Sequence, residues 1–279
     1  MSSALPLRHV LLALAVVAVW GTNFVVIKFA LAVLPAAFFI RRPAAGWRNL
    51  AAYGVLIGVG QFGLLYLAMR GHITPGLASL VIQTQVFFTI GLSMVLTGER
   101  LQPLQWLALI MAAGGIVVIG VNTDAATTLL GLAVTLIAAA SWAGANTVSR
   151  RAGRVDALAY VVWSSAFAVP PLLALSLVFE GGDAIVSGLR SADVATWAAV
   201  VWQSVGNTIF GYGAWAWLLA RHPAGTVAPM ALLVPVFGMA SSAWWIGEPL
   251  PGWKLGAAAL VIGGLALNLF GMRLLGRRG

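Results

Sequence analysis

The chain contains no cysteine, which removes disulfides, iron–sulfur clusters and thiolate metal sites. It is also poor in charge. Only 8% of its 279 residues are charged, where a soluble domain carries about a quarter. Water-facing surface needs charge, so a chain this poor in it faces another medium. Acids are scarcest: Glu99, Asp124, Asp156, Glu180, Asp183, Asp193 and Glu248 are all there are. They fall at the ends of apolar runs or between them, as do His9, His72 and His222. Proton relays and cation sites in membranes place such groups inside a helix. No metal site and no cofactor is therefore expected. No Walker A pattern, HExxH or nucleophile-and-base set occurs, so catalysis, whether by an ATPase, a hydrolase or another membrane enzyme, has no residues to rest on.

What the chain has is apolar length. Hydrophobic residues make up 61% of it and the mean hydropathy is +0.97. A helix crossing the hydrocarbon core needs about 20 apolar residues. Runs of that kind cover 50–70, 75–97, 102–121, 128–149, 156–179, 194–220, 224–247 and 252–274. The gap from Glu180 to Asp193 is longer and carries Gly, Asp and Ser, as a surface loop with a short interfacial helix would. The stretch 10–40 is long for one span and short for two, with Lys28 and Pro35 inside it. Arg8 and His9 precede it in the manner of a signal peptide. No A-x-A-like cleavage site follows promptly and many spans come after, so it reads as the first transmembrane helix.

The net charge is +9 and the pI about 11.3. The basic residues sit in the short gaps between apolar runs. With both termini cytoplasmic, 12 of the 16 lie inside, the asymmetry of the positive-inside rule. Lys28, Arg70, Arg190 and Lys254 remain outside. No basic stripe with interleaved aromatics is present, so nucleic acid is not an expected partner; the lipid bilayer is. Gly58-x-Gly60-x-x-Gly63 matches a dinucleotide fingerprint but lies inside an apolar span with no preceding strand. Close helix packing, together with Gly54, is the reading that fits.

The two halves repeat. Gly98-Glu99 matches Gly247-Glu248 at an offset of 149, Gly76 falls on Gly225, Tyr66 on Trp215, and Gly114-Gly115 on Gly263-Gly264. Gly21-Thr22-Asn23 matches Gly144-Ala145-Asn146 at an offset of 123, so the first half is shorter by about one helix and its loop. Trp20-Gly21-Thr22-Asn23-Phe24, the Ala78-Ser79-Leu80 helix closing on Gly98-Glu99, and Pro229…Pro235-Val236-Phe237…Gly247-Glu248 resemble the EamA modules of the drug/metabolite transporter superfamily. Within it, the aromatic amino-acid exporters of the YddG type are the nearest likeness. The resemblance implies an all-α membrane protein of ten transmembrane helices, with two inverted five-helix repeats, 1–122 and 123–279, around a central cavity. It places the protein in the bacterial inner membrane. The sequence departs from that pattern in one place: two helices would have to fit in 10–40, so a segment is missing near 29–32.

Inverted repeats put the substrate near the bilayer midplane, between them. Uncharged polar residues lie inside the spans: Thr22, Asn23, Gln61, Gln83, Thr84, Gln85, Asn146, Gln203, Asn207, Thr208 and Tyr212. Singly, each can serve as a bridge between helices; as a set over both halves they read as a cavity lining. Gln83 and Gln85 are two apart and point in different directions. Trp106, Trp197 and Trp253 fit an interfacial belt. Deeper indoles need an acceptor for their N–H and otherwise serve packing. The expected substrate contacts are Asn23, Gln83 and Asn146 for polar recognition and Trp20, Tyr66, Trp142, Trp163 and Trp215 for the walls.

The expected function is export of aromatic or bulky apolar amino acids and related small metabolites by alternating access. With no acid in the first helix, unlike the small multidrug exporters of the superfamily, facilitated diffusion is expected. The competing readings are an exchanger or proton-coupled exporter of another metabolite, drug or nucleotide sugar, and a non-transporting scaffold or receptor. Composition is silent on the oligomeric state.

Overall fold

The computed structural model describes residues 6–27, 42–98, 102–153, 155–179, 181–222 and 227–275. All regular structure among them is helical. The first part comprises α1 (Leu7–Ile27), α2 (Trp47–Gly54), a π-helical stretch Val55–Gly63, α3 (Leu64–Met69), α4 (Pro75–Val81), a 3-10 turn Ile82–Thr84, α5 (Gln85–Thr97) and α6 (Pro103–Val121). The second comprises α7 (Leu129–Arg151), α8 (Ala157–Ser165), α9 (Val169–Phe179), α10 (Gly182–Ser191), α11 (Val194–Val201), a π-helical stretch Trp202–Tyr212, α12 (Gly213–Arg221), a 3-10 stretch Ala228–Leu233, α13 (Val234–Ile246) and α14 (Gly252–Leu275). Lys28, Pro35, the expected gap near 29–32 and Glu99 lie outside the described residues.

Among the described residues, six continuous helical stretches are long and apolar enough to cross a membrane: Trp47–Met69, Pro75–Leu96, Pro103–Val121, Leu129–Arg151, Ala159–Phe179 and Gly252–Phe270. Leu7–Gly21 and Met230–Ile246 are shorter apolar helices. Large apolar side chains such as Val95, Val117, Val194 and Trp244 stand exposed on the outside of the bundle, where water would not tolerate them in such number and lipid does.

Local chemistry sets the helix ends. Gly98 and Gly247 close α5 and α13 in the left-handed conformation, at φ 70° and 65°, which costs glycine nothing. Pro103 opens α6 behind a Gln102/Gln105 capping box. Three of the scarce acids tie down turns and helix starts. Asp156 and Asp193 accept the Ala159 and Thr196 backbone N–H groups, and Asp124 accepts those of Ala126 and Thr127. Such capping explains why acids cluster at run ends.

The elements of the two parts recur at one spacing. α5 and α13 are offset by 149 at both ends, α6 and α14 begin 149 apart, and the two π stretches and two 3-10 stretches fall near the same offset. Packing is reciprocal as well. α1 lies against α13 and the second π stretch, and α7 lies against α5 and the first. Glycines permit the close approaches. A Cβ on Gly238 would meet the Ser79 side chain, and one on Gly21 would come within 2.5 Å of Phe237 Cβ. A Cβ on Gly54 would strike the Ser164 carbonyl, one on Gly58 would strike Ala168, and one on Gly60 would lie 2.7 Å from Ser141 Oγ. The Gly58–Gly60 pattern is therefore a packing surface for α7, α8 and α9.

Candidate functional site

The most enclosed element is α4, all seven of whose residues are buried. Its 3-10 continuation carries Gln83 and Thr84, also buried. One residue on, Gln85 begins α5 and turns toward α7, where its Oε1 accepts a hydrogen bond from Asn146 Nδ2 at 3.0 Å. The Thr89 hydroxyl donates to the Gln85 backbone carbonyl at 2.8 Å and reaches its side chain at 3.3 Å. An amide pair of this kind satisfies two groups that lipid would leave unpaired. The partner of Asn146 is thus Gln85, while Gln83 lies on the preceding turn.

Aromatic walls come from both parts. Trp20 on α1 and Trp215 on α12 have ring centroids 5.1 Å apart with planes inclined by 52°. Both, with Trp142 on α7, are half-buried against the main core of Leu65, Leu77, Leu80, Ile82 and Ala139. Gly211 is the reason the Trp20 indole fits: a Cβ there would meet Trp20 Nε1. Trp163 stands apart. It pairs edge-on with Trp47 at 6.0 Å, in a separate small cluster around Ala45, Leu50 and Tyr160. In that cluster the Tyr160 hydroxyl donates to Asn49 Oδ1 at 2.5 Å and Asn49 Nδ2 donates to the Val148 carbonyl at 2.8 Å. Tyr66 is half-buried on α3, which packs against α7. Asn23 lies in α1, and its side chain is outside the described residues.

Gln61 and Asn207 were among the polar residues expected to line a cavity. Two groups of features escaped the reading from sequence: the π-helical form of the segments that carry them, with the buried Ser164 and Ser204, and a buried ion pair. The π stretches hold Gln61 and Asn207, 4% and 5% exposed, and π segments inside α-helices recur at functional sites. Gln61 Oε1 and Ser204 Oγ are buried without a hydrogen-bond partner, as is Ser164 Oγ on α8, the helix that touches both π stretches. The second group is an ion pair. Glu248 and Lys254 were expected as ordinary helix-end charges, with Lys254 an outer anchor. Both are instead buried, Lys254 Nζ at 2.8 Å from Glu248 Oε1. Burial pushes the Glu248 carboxyl up, but donors from Lys254, Ser242 and Thr74, with the Lys254 charge, outweigh it and hold the carboxyl below its ordinary range. A further contact joins the start of α1 to the end of α12, His9 Nδ1 and His222 Nε2 lying 2.7 Å apart. Among the described residues, no three His, Asp or Glu side chains come together as a metal site would require.

The sequence profile described as the EamA-like transporter family matches residues 29–121 and again 129–270. A protein of Salmonella typhimurium named "Probable amino-acid metabolite efflux pump" is 39% identical over 94% of this chain and 95% of its own length. One of the same name in Escherichia coli is 37% identical over the same shares. A "Probable terminal-alkyne amino-acid exporter" of Streptantibioticus cattleyicolor is 28% identical over 92% of this chain and 84% of its own. A solved crystal structure at 20% identity overlays with a TM-score of 0.55, covering 95% of this chain and 88% of the other, a likeness of fold.

Proposed function

The chain belongs to the EamA-like transporter family, and from that premise we propose that it exports amino acids, aromatic or bulky apolar ones foremost, and related small metabolites. It is a multi-pass membrane transporter and not an enzyme. The observation that carries the substrate reading is the 39% identity, nearly end to end, with a protein named for amino-acid metabolite efflux.

The chemistry of the interior supports that reading. An amino acid offers two charged polar groups at one end and a side chain at the other. The Asn146–Gln85 amide pair and neighbouring Gln83 supply donors and acceptors, and Asn23 on α1 is assigned to the same role. Trp20, Trp142 and Trp215 supply flat apolar surface, as ligand sites that are mostly apolar with a few placed polar groups do. Tyr66 extends the wall on the α7 side, and Trp163, beside Trp47, is assigned to the wall from its separate cluster. The seven acids, all at run ends, support facilitative transport in which concentration gradients set direction.

The architecture proposed is the ten-helix inverted repeat, 1–122 and 123–279, with both termini in the cytoplasm of a bacterial inner membrane. The recurrence of elements at one offset supports it, as do the paired profile matches, whose boundary falls between 121 and 129. The first match is the shorter of the two. Alignment with the Salmonella protein runs over 284 positions. Because 94% of this chain's 279 residues is about 262, about 22 positions stand opposite gaps in this chain. That is the length of one transmembrane helix, which accords with a shortened first repeat. Rocking of one bundle against the other would expose the interior to each side in turn.

Purified protein in liposomes, given labelled phenylalanine, tryptophan and leucine with and without a pH gradient, tests this directly. Saturable flux independent of the gradient is expected. Flux that appears only with the gradient would overturn the facilitative reading, and no flux of any amino acid would overturn the substrate class.

A further inference from the structure

Glu248 is the most heavily bonded side chain among the described residues. Its Oε1 accepts from the Thr74 hydroxyl at 2.5 Å and from Lys254 Nζ at 2.8 Å. Its Oε2 accepts from the Gly76 backbone N–H at 3.0 Å and from the Ser242 hydroxyl. All four contacts place a donor against it, and two of the donors, the Lys254 ammonium and the Gly76 N–H, cannot accept, so the site suits a carboxylate. Gly76 is required beside it, since a Cβ there would lie 2.7 Å from Oε2. The contacts join three elements: the start of α4, the end of α13 and the start of α14.

The element so held matters for the site. α4 has no capping bond from its own Thr74 side chain, and Glu248 supplies the acceptor instead from another part of the chain. From Gly76 the helix runs without a loop through its buried turn to Gln83 and Gln85. Seven residues of helix at about 1.5 Å each separate the clasp from Gln83. A helix is stiff over that length, so axial or rotational slack at Gly76 is transmitted to the amides with little loss. A shift of about 1 Å is enough to spoil a hydrogen-bonded site.

We propose that Glu248 is a positioning residue for transport: by clasping the start of α4 to α13 and α14, it sets the height and rotation of Gln83 and of the Gln85–Asn146 pair. This rests on the reading of those amides as substrate contacts. Lys254 offsets the burial of the carboxylate and Thr74 and Ser242 aim it. Glutamine in place of Glu248 would turn an NH2 toward a donor and lose the charge that Lys254 faces, leaving the packing volume nearly unchanged.

The test is initial-rate flux of labelled phenylalanine in proteoliposomes for wild type, E248Q, T74V, T74S and Q83A, with the folded fraction of each measured by size exclusion. E248Q is expected to raise KM by about three- to tenfold, with maximal flux per folded transporter within about twofold of wild type. The milder T74V, which removes one donor, should move KM the same way, and T74S should restore it. Unchanged KM in E248Q and T74V, with only folded yield reduced, would make the clasp purely structural and overturn the proposal. Q83A separates the two levels. If Q83A raises KM and E248Q does not, the positioning role alone fails. If Q83A leaves KM unchanged, the substrate-contact reading fails and the proposal with it.

Discussion

Gly115 and Gly264 stand 149 positions apart, and each lies against the helix that carries the other. A Cβ on Gly115 would come within 2.7 Å of Val261 Cγ2 and 2.9 Å of the Ala257 carbonyl. A Cβ on Gly264 would lie 2.6 Å from the Ala108 carbonyl and 3.2 Å from the Ala112 backbone nitrogen. Ala108 and Ala257 are themselves 149 apart, as are Ala112 and Val261. The α6–α14 contact is thus self-complementary, the pattern that the proposed inverted repeat would produce. Lipid offers no hydrophobic drive for helix association, so backbones must meet closely enough for dispersion and weak hydrogen bonds to act.

From this contact comes the first prediction. Gly264→Val places branched carbon where backbone already stands, so α6 and α14 must separate. Overpacking of this kind costs about 1–3 kcal/mol, and the melting temperature in detergent should fall by several degrees. Gly256→Ala, on the same helix with open space around it, should leave melting unchanged. Equal melting of the Gly264 variant and wild type would remove the α6–α14 seam from the account of stability.

The Gln85–Asn146 bond gives a second. Hydrogen bonds between membrane helices average only about 0.6 kcal/mol, so Asn146→Ala should cost little stability. If these amides meet substrate, the same change should depress flux well beyond any loss of folded protein. A double-variant cycle with Gln85→Ala separates the roles. Substrate binding by the pair should make the two losses in kcat/KM strongly non-additive. Additive, small losses would return both residues to bridging.

Much of the fold is legible in the residues. The span expected at 75–97 is α4 to α5, and that at 128–149 is α7, because apolar runs and their Gly, Pro and Thr punctuation act locally. The position of the acids at run ends was legible for the same reason, though not their capping bonds. The amide pairing was not, since which of Gln83 and Gln85 meets Asn146 depends on the relative rotation of two helices. The π stretches left no sign, because one extra residue per turn barely alters an apolar pattern that is apolar all round. The pairing of Trp163 with Trp47 was not legible either, since Trp47 is a ring at the edge of a run whose neighbour is fixed only by tertiary packing. Glu248 and Lys254 were read by position in the chain, whereas their burial is set by α4, more than 170 residues away.

A third prediction concerns the indole pair. Trp20 and Trp215 face one another from α1 and α12, so a substrate ring seated there would touch both. Trp215→Ala should weaken phenylalanine and tryptophan transport by about 1 kcal/mol or more, roughly fivefold in kcat/KM, as loss of an aromatic contact does. Leucine flux should fall less. Intrinsic fluorescence should also respond to added phenylalanine in wild type and lose most of that response in the variant. Equal losses for aromatic and aliphatic substrates would assign the pair to packing.

The fourth prediction follows from the sign of the Glu248 shift. Its carboxyl is held below the ordinary range, with burial opposing and the donors from Lys254, Ser242 and Thr74 prevailing. A carboxyl lowered in the folded state contributes stability that is complete above the unfolded value, about pH 4–5. That contribution drains away as pH falls through the folded value. The melting temperature of E248Q should therefore lie below that of wild type by a constant margin from pH 8 to pH 6. The margin should narrow below pH 5, as wild type loses what the variant never had. Other capping acids such as Asp193 titrate in both proteins and cancel in the difference. A margin that grows as pH falls from 8 to 5 would mean that the carboxyl is raised by its burial, and the four donors around it would have to be reassigned.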